Sequence, residues 1–169
     1  MAKLHGTKTH ENLKEAFAGE SMANRKYLAY AAQAEKEGYP AVAKLLKTIA
    51  EAETLHAHSH FRVAGGVGDT MKNLQAALDG ETYEFSEMYP AFMKDAEAEG
   101  NKAAFKSFQL ANEAEKVHAE LYKKAMANLE KGRDAEYYLC PFCGYVQENG
   151  VPDECPICKA KGSTFKKIA

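Results

Sequence analysis

Tryptophan is absent from the 169 residues, proline occurs five times, and no cysteine precedes position 140. Disulfides therefore cannot staple the larger part of the chain, and the cysteine pattern favours a reducing, cytoplasmic setting. No apolar run approaches the roughly 18 residues that a membrane span needs. Met1-Ala2-Lys3-Leu4-His5-Gly6 also lacks the apolar stretch of a secretory signal. Neither charge sign dominates: 22 Lys and Arg stand against 24 Asp and Glu, for a net −2 and a pI near 6.3. That balance argues against a nucleic-acid clamp or a membrane-surface polycation.

Up to about residue 132 the chain is rich in Ala, Glu, Lys and Leu and poor in β-branched residues, a helical composition. Four helices are expected: 9–37, with Thr7 or Thr9 as N-cap and Gly38 past the end; Pro40 to Ala64; Thr70 to Glu99; and Lys102 to Glu130. Pro90 should kink or loosen the third. Four such helices suggest a four-helix bundle, assigned here to residues 1–134, with a small appendage at 135–169.

The helical part repeats itself. Residues 27–61 laid on 89–123 match at 13 of 35 positions, an offset of 62, whereas Gly19-Glu20 matches Gly80-Glu81 at an offset of 61. One extra residue therefore lies between Glu81 and Tyr89. A continuous helix commonly absorbs such an insertion as a π-bulge, expected here near residues 82–88.

Glu53-x-x-His56 and Glu115-x-x-His118 occupy corresponding places in the two copies. An i, i+3 spacing puts each Glu and His on one helical face, able to grip a single ion. A lone Glu-x-x-His is weak evidence, because solvated helices carry many, but a duplicated one is strong. Glu20 and Glu81 supply a matched carboxylate from each of the other two helices. Together they make the carboxylate-bridged two-metal pattern of ferritin-like bundles, with donors that suit iron or manganese. Glu84 is a seventh candidate without a repeat partner, so the halves of the site are unequal. Glu87 is expected to be solvated. Tyr27 and Tyr89, about two turns beyond Glu20 and Glu81, would support the carboxylates through hydrogen bonds, or else be simple core residues. His58 and His60 are expected to be non-ligands, and the methionines core filling.

In the tail, Cys140-Pro-Phe-Cys143-Gly and Cys155-Pro-Ile-Cys158 are two Cys-x-x-Cys knuckles. Four sulfurs from two knuckles make a tetrahedral site for iron or zinc, around which Tyr138, Phe142, Tyr145 and Phe165 would form a small core.

With these motifs in this order, the chain resembles the rubrerythrins over essentially its whole length. The shared elements include Ala-Gly-Glu-Ser at 18–21, both Glu-x-x-His elements, Glu87-Met88-Tyr89-Pro90 and the two cysteine knuckles. The resemblance implies a mainly α fold, a ferritin-like four-helix bundle followed by a small rubredoxin-like ribbon. It implies a di-iron site of Glu20, Glu53, His56, Glu81, Glu84, Glu115 and His118, with Glu53 and Glu115 bridging, and one iron (zinc being possible) on Cys140, Cys143, Cys155 and Cys158. His56 and Glu84 would be alternative ligands of one iron, exchanged with redox state, and the catalytic group would be Glu84, His56, Tyr27 and Tyr89. The implied activity is a peroxidase that reduces hydrogen peroxide to water, supplied with electrons by a reductase or rubredoxin through the ribbon. Its rival is a ferroxidase or iron-binding protein on the same site.

The chain departs from the long-form rubrerythrins in the link between the second and third helices. Residues 65–69 reach at most about 20 Å, while a 25-residue helix is about 37 Å long. The ferritin-like arrangement sets those helices parallel, so the link would have to travel the bundle's length. The expectation is a homodimer that exchanges helix pairs, each site taking Glu20, Glu53 and His56 from one chain and Glu81, Glu84, Glu115 and His118 from the other.

Overall fold

In the computed structural model, residues 4–131 and 135–168 are described. The chain divides into two compact units, Met1–Gly68 and Asp69–Ala169. The expected boundary between bundle and ribbon, at 134/135, falls against residues 132–134, outside those described.

The first unit is a helical hairpin of α1 (Lys8–Lys36) and α2 (Pro40–Val63). Thr7 is the N-cap, its hydroxyl accepting from the His10 N–H at 3.2 Å. Gly38, at φ +82°, ends α1 in the left-handed conformation that glycine adopts without penalty. Ala31, Ala34 and Ala43 pack with Leu46 where the helices meet. Buried Asn24 ties them together, donating to the Ala50 carbonyl at 2.6 Å and to the Thr54 hydroxyl at 2.8 Å. At the far end Phe17 stacks on Phe61, ring centroids 4.7 Å apart. A side chain at Gly66 would run into the Phe61 ring.

The second unit opens with α3 (Thr70–Tyr83), capped by Asp69, which accepts from the Lys72 N–H at 2.9 Å. A π turn, Glu84–Met88, leads into α4 (Tyr89–Ala98), and α5 (Lys102–Ala127) returns antiparallel behind an Asn101 cap. The inserted residue is thus accommodated where the repeat arithmetic places it. The expected single helix 70–99 is in fact two helices joined by the π turn, and Pro90 lies in the first turn of α4. There its missing N–H costs little, because the ladder is already re-registered by the Tyr89 N–H bonding to Glu84 O. The last helix stops at Ala127, not 130, as the Asn128 side chain turns back to the Lys124 carbonyl at 2.8 Å.

Beyond a 3₁₀ turn at Leu129–Lys131 come β1 (Tyr137–Leu139), β2 (Val146–Glu148) and β3 (Lys166–Ile168), an antiparallel sheet in the order β2-β1-β3. Tyr145 and Phe165 meet edge to face at 6.2 Å, as expected of the ribbon core. Phe142 does not join them and is exposed.

No membrane-spanning helix is present among the described residues. Their fully buried apolar helical positions are all alanine: 31, 34, 43, 50, 57, 96, 114 and 119. Met22 and Met71, expected in the core, are exposed. Along α2, Val42, Leu45, Ile49, His56 and Val63 follow at intervals of three, four, seven and seven residues, so they share one face, and all are exposed. An uncovered apolar stripe with a candidate ligand in its middle marks a surface built to be covered.

Candidate metal centre

Each unit gathers one carboxylate–imidazole triad. On the first hairpin, His56 Nδ1 lies 2.9 Å from Glu53 Oε2 and 3.9 Å from Glu20 Oε1. On the second, His118 Nδ1 lies 2.7 Å from Glu115 Oε2 and 3.8 Å from Glu81 Oε1. The two geometries agree within a few tenths of an ångström, as expected of one supersecondary unit used twice. In each triad the donor atoms lie within 4.8 Å of one another. Two carboxylates and an imidazole at that spacing fit a divalent cation of the iron or manganese type, and the two triads together hold six of the seven expected residues.

The triads differ in setting. His56 is exposed, whereas His118 is half-buried and bonded at both ring nitrogens. Its Nε2–H donates to the Gly144 carbonyl at 2.8 Å. That bond assigns the tautomer and leaves Nδ1 toward Glu115 and Glu81. The second triad is also electrostatically strained without a cation. Burial, together with the hydrogen bond and charge of Glu115, pushes the Glu81 carboxyl up to about 7. The His118 hydrogen bond holds Glu115 below the usual range, and Glu115 in turn raises His118. A proton is shared where a metal ion would replace it.

Glu84 opens the π turn. Burial first, then the Glu115 charge, raises its carboxyl, so it stands beside the second triad, though outside the group of mutually close donor atoms. Tyr89 feels the same charges: burial, Glu84, Glu115 and Glu81 all raise its phenol. Its ring lies 6.3 Å from Phe108 and 6.4 Å from Phe92. Tyr27, half-buried, sits 6.3 Å from Tyr30. Among the described residues, neither Tyr27 nor Tyr89 hydrogen-bonds a carboxylate. Glu87 and His58 are exposed, and His58 and His60 lie outside the triads.

Three neighbours of the site were not legible beforehand. Tyr122, one turn past His118, is raised by burial and by the charges of Glu81 and Glu115. Its signal was available, since it stands in the repeat position of His60. Asn24 and Asn112 are buried one turn from Glu20 and Glu115, each with an Oδ1 lacking a partner among the described residues. Only burial distinguishes them from surface asparagines, and burial is a tertiary property.

The four cysteines converge. Cys140 and Cys158 sulfurs are 3.6 Å apart, and those of Cys143 and Cys155 are 3.5 Å apart. Tetrahedral bonds of about 2.3 Å to one ion require sulfurs about 3.8 Å apart, so the cluster fits iron or zinc with little adjustment. The knuckles share one backbone design. The Cys140 N–H bonds to Tyr145 O and the Gly144 N–H to Cys140 O, as the Cys155 N–H does to Ala160 O and the Lys159 N–H to Cys155 O. The left-handed residue is Gly144 in the first knuckle and Lys159, at φ +64°, in the second.

Comparison with known proteins agrees with these observations. The rubrerythrin family profile matches residues 11–126, and the rubrerythrin rubredoxin-like domain matches 138–166. Rubrerythrin-2 of Clostridium acetobutylicum is 37% identical, over 94% of this chain and 95% of that protein. Nigerythrin of Nitratidesulfovibrio vulgaris is 37% identical, over 93% and 85%. The rubrerythrin of the latter organism is 33% identical, over 99% and 98%. Among solved structures, fully reduced, all-ferrous nigerythrin aligns at a TM-score of 0.60 with 36% identity, covering 96% of this chain and 87% of that one.

Proposed function

The chain belongs to the rubrerythrin family, and from that membership we propose that it is a non-haem di-iron peroxidase that reduces hydrogen peroxide to water, with electrons relayed through the four-cysteine iron. The single observation that carries the reading is the dual bonding of His118: one ring nitrogen faces Glu81 and Glu115, the other holds Gly144 of the first cysteine knuckle. A storage site has no need of an electron relay bonded to one of its ligands.

The metal ligands are Glu20, Glu53, His56, Glu81, Glu84, Glu115 and His118, with Cys140, Cys143, Cys155 and Cys158 in the ribbon. An iron pair bound by these residues would supply the two electrons that the reduction of peroxide to water requires. Glu84 is the mobile ligand, standing on the π turn, where the helical ladder is already interrupted. On assembly, Tyr27 and Tyr89 would orient carboxylates through their hydroxyls.

The functional unit is a homodimer that exchanges helix pairs, residues 1–68 of one copy completing the site of residues 69–169 of the other. Each unit carries half a ligand set, its fully buried apolar helical residues are alanines, and α2 leaves an apolar stripe uncovered. The ribbon is taken as 135–169 and the helical part as 1–134. The electron donor is a reductase or a rubredoxin, and the unpaired thiols suit a cytoplasmic location.

The test is to reconstitute the protein with iron, reduce it without oxygen, and mix it with one equivalent of peroxide or of O₂ while following the iron–thiolate absorption. Fast recolouring with peroxide and slow recolouring with O₂ are expected. A preference for O₂ with iron accumulating beyond the site would make it a ferroxidase.

A further inference from the structure

We infer that His5 and His10 together form a further metal site, for a late divalent transition ion such as Zn²⁺ or Cu²⁺, separate from the carboxylate triads and the four cysteines. The two residues frame the start of α1. Leu4 to Thr7 is a tight turn, closed by the Thr7 N–H on the Leu4 carbonyl at 3.1 Å. Gly6, at φ +81°, takes its third position, where a type II turn needs a positive angle. Thr7 then fastens both ends: its hydroxyl donates to Leu4 O at 2.6 Å and accepts from the His10 N–H at 3.2 Å. Turn and cap together set His5 against the first turn of the helix. There the two imidazole rings lie 5.0 Å apart, centre to centre, and 31° from parallel.

A shared ion requires that spacing. Two imidazoles binding one ion at about 2.0–2.1 Å, through nitrogens about 1.1 Å from their ring centres, hold those centres about 4.5–5.2 Å apart for angles between square and tetrahedral. Among the described residues, neither imidazole has a hydrogen-bond or ion-pair partner that would compete for its nitrogens. No carboxylate or thiol among them completes a triad with the pair. Neutral nitrogen donors alone favour Cu²⁺, Ni²⁺ and Zn²⁺ over the harder ions that suit the glutamates. Both rings also line a cavity of about 410 Å³, shared with Lys14, Phe17 and Phe61. Lys14 is a cation and the phenyl rings offer no donor, so water completes the coordination. Because the turn already orders the pair, little freedom is lost on binding.

The test is a calorimetric titration of the iron-loaded protein with Zn²⁺, in which iron already fills the carboxylate and cysteine sites. One zinc per chain is expected, with no iron released. His5→Ala and His10→Ala should each weaken binding at least about 100-fold, because two tethered donors are reduced to one. His58→Ala, at an exposed histidine outside the triads, should leave it unchanged. Gly6→Val keeps both imidazoles but opposes the positive φ of the turn, and should weaken binding about tenfold. His5 is exposed, so its variant is expected to fold, with an unchanged far-ultraviolet circular dichroism spectrum. Cu²⁺ bound to the iron-loaded protein should show hyperfine coupling to two imidazole nitrogens, and to one in either alanine variant. Equal zinc affinity in His5→Ala or His10→Ala overturns the site. So does a copper spectrum with a single imidazole, or iron lost as zinc enters, which would place the zinc among the glutamates or cysteines.

Discussion

Leu45→Ala tests whether the apolar stripe of α2 is the seam between two copies. Leu45 is 58% exposed within its own chain, though it lies on the stripe that carries His56. Covering it removes about 100 Å² of apolar surface from water, worth about 2.5 kcal/mol. Truncating a buried leucine to alanine costs a comparable 2–3 kcal/mol, roughly, where the site partly collapses. A symmetric dimer contains the contact twice, so the loss is about 5 kcal/mol, or roughly a 10³- to 10⁴-fold weaker dimer. Leu55 is the control: it is more exposed, at 70%, and lies about 80–100° round the helix from Leu45 and His56, off the stripe. Leu55→Ala should cost under about 0.5 kcal/mol. Sedimentation over a concentration series measures the association, and iron analysis follows the sites. Dissociated Leu45→Ala should lose its iron pair and keep its ribbon iron. If both variants dimerise alike, or a Leu45→Ala monomer retains the complete iron pair, the seam lies elsewhere.

Further expectations follow from individual residues. Glu81 is raised from 4.5 to about 7 and His118 is raised as well, so the folded metal-free protein binds more protons than the unfolded chain in that range. The contribution of these two groups to stability should therefore fall as pH rises from about 5 to about 8, while iron, which displaces the protons, should bind more tightly over the same interval; thermal melts with and without iron, and dye-reported proton release on loading, check both signs. A Cβ on Gly162 would lie 1.9 Å from the Pro152 carbonyl oxygen, so Gly162→Ala should destabilise the ribbon by about 3 kcal/mol and abolish its iron–thiolate absorption. Lys159 holds a left-handed φ of +64°. Lys159→Gly should relieve roughly 0.5–1 kcal/mol, seen as slower loss of the ribbon metal to a chelator, with no change at the carboxylate site. Deleting Phe85 should convert the π turn to plain α-helix and turn Glu84 about 100° round the helix relative to Tyr89 and the residues that follow; the iron pair would still load, but peroxide turnover should fall about 10- to 100-fold.

Much of this protein is readable without coordinates because its information is local. Helix caps at Thr7, Asp69 and Asn101, and the glycines after α1 and α4, are written in single residues. The Glu-x-x-His pairs put their side chains on one face by helical periodicity alone. The π turn follows from arithmetic, since an offset of 61 that becomes 62 must be absorbed between Glu81 and Tyr89, and a helix has few ways to absorb one residue. Pro90 marked the same weak point, to be met by a kink or a loosened turn, and the π turn Glu84–Met88 is that loosened turn.

Contacts across long separations were decided by tertiary structure. Nothing in the spacing of His118 and Gly144, 26 residues apart, announces that a ring nitrogen left over from one metal site will hold the backbone of another. Asn24 and Asn112 look like any helical surface asparagine until packing removes water from around them, after which an unpaired oxygen becomes costly. The alanine-lined contacts also appear only on folding. Composition supplies enough leucine, isoleucine and phenylalanine for a full core, yet within one chain the helices close on small residues and leave the large ones outside. Periodicity says which side chains share a face; only the packed helices decide what that face lies against.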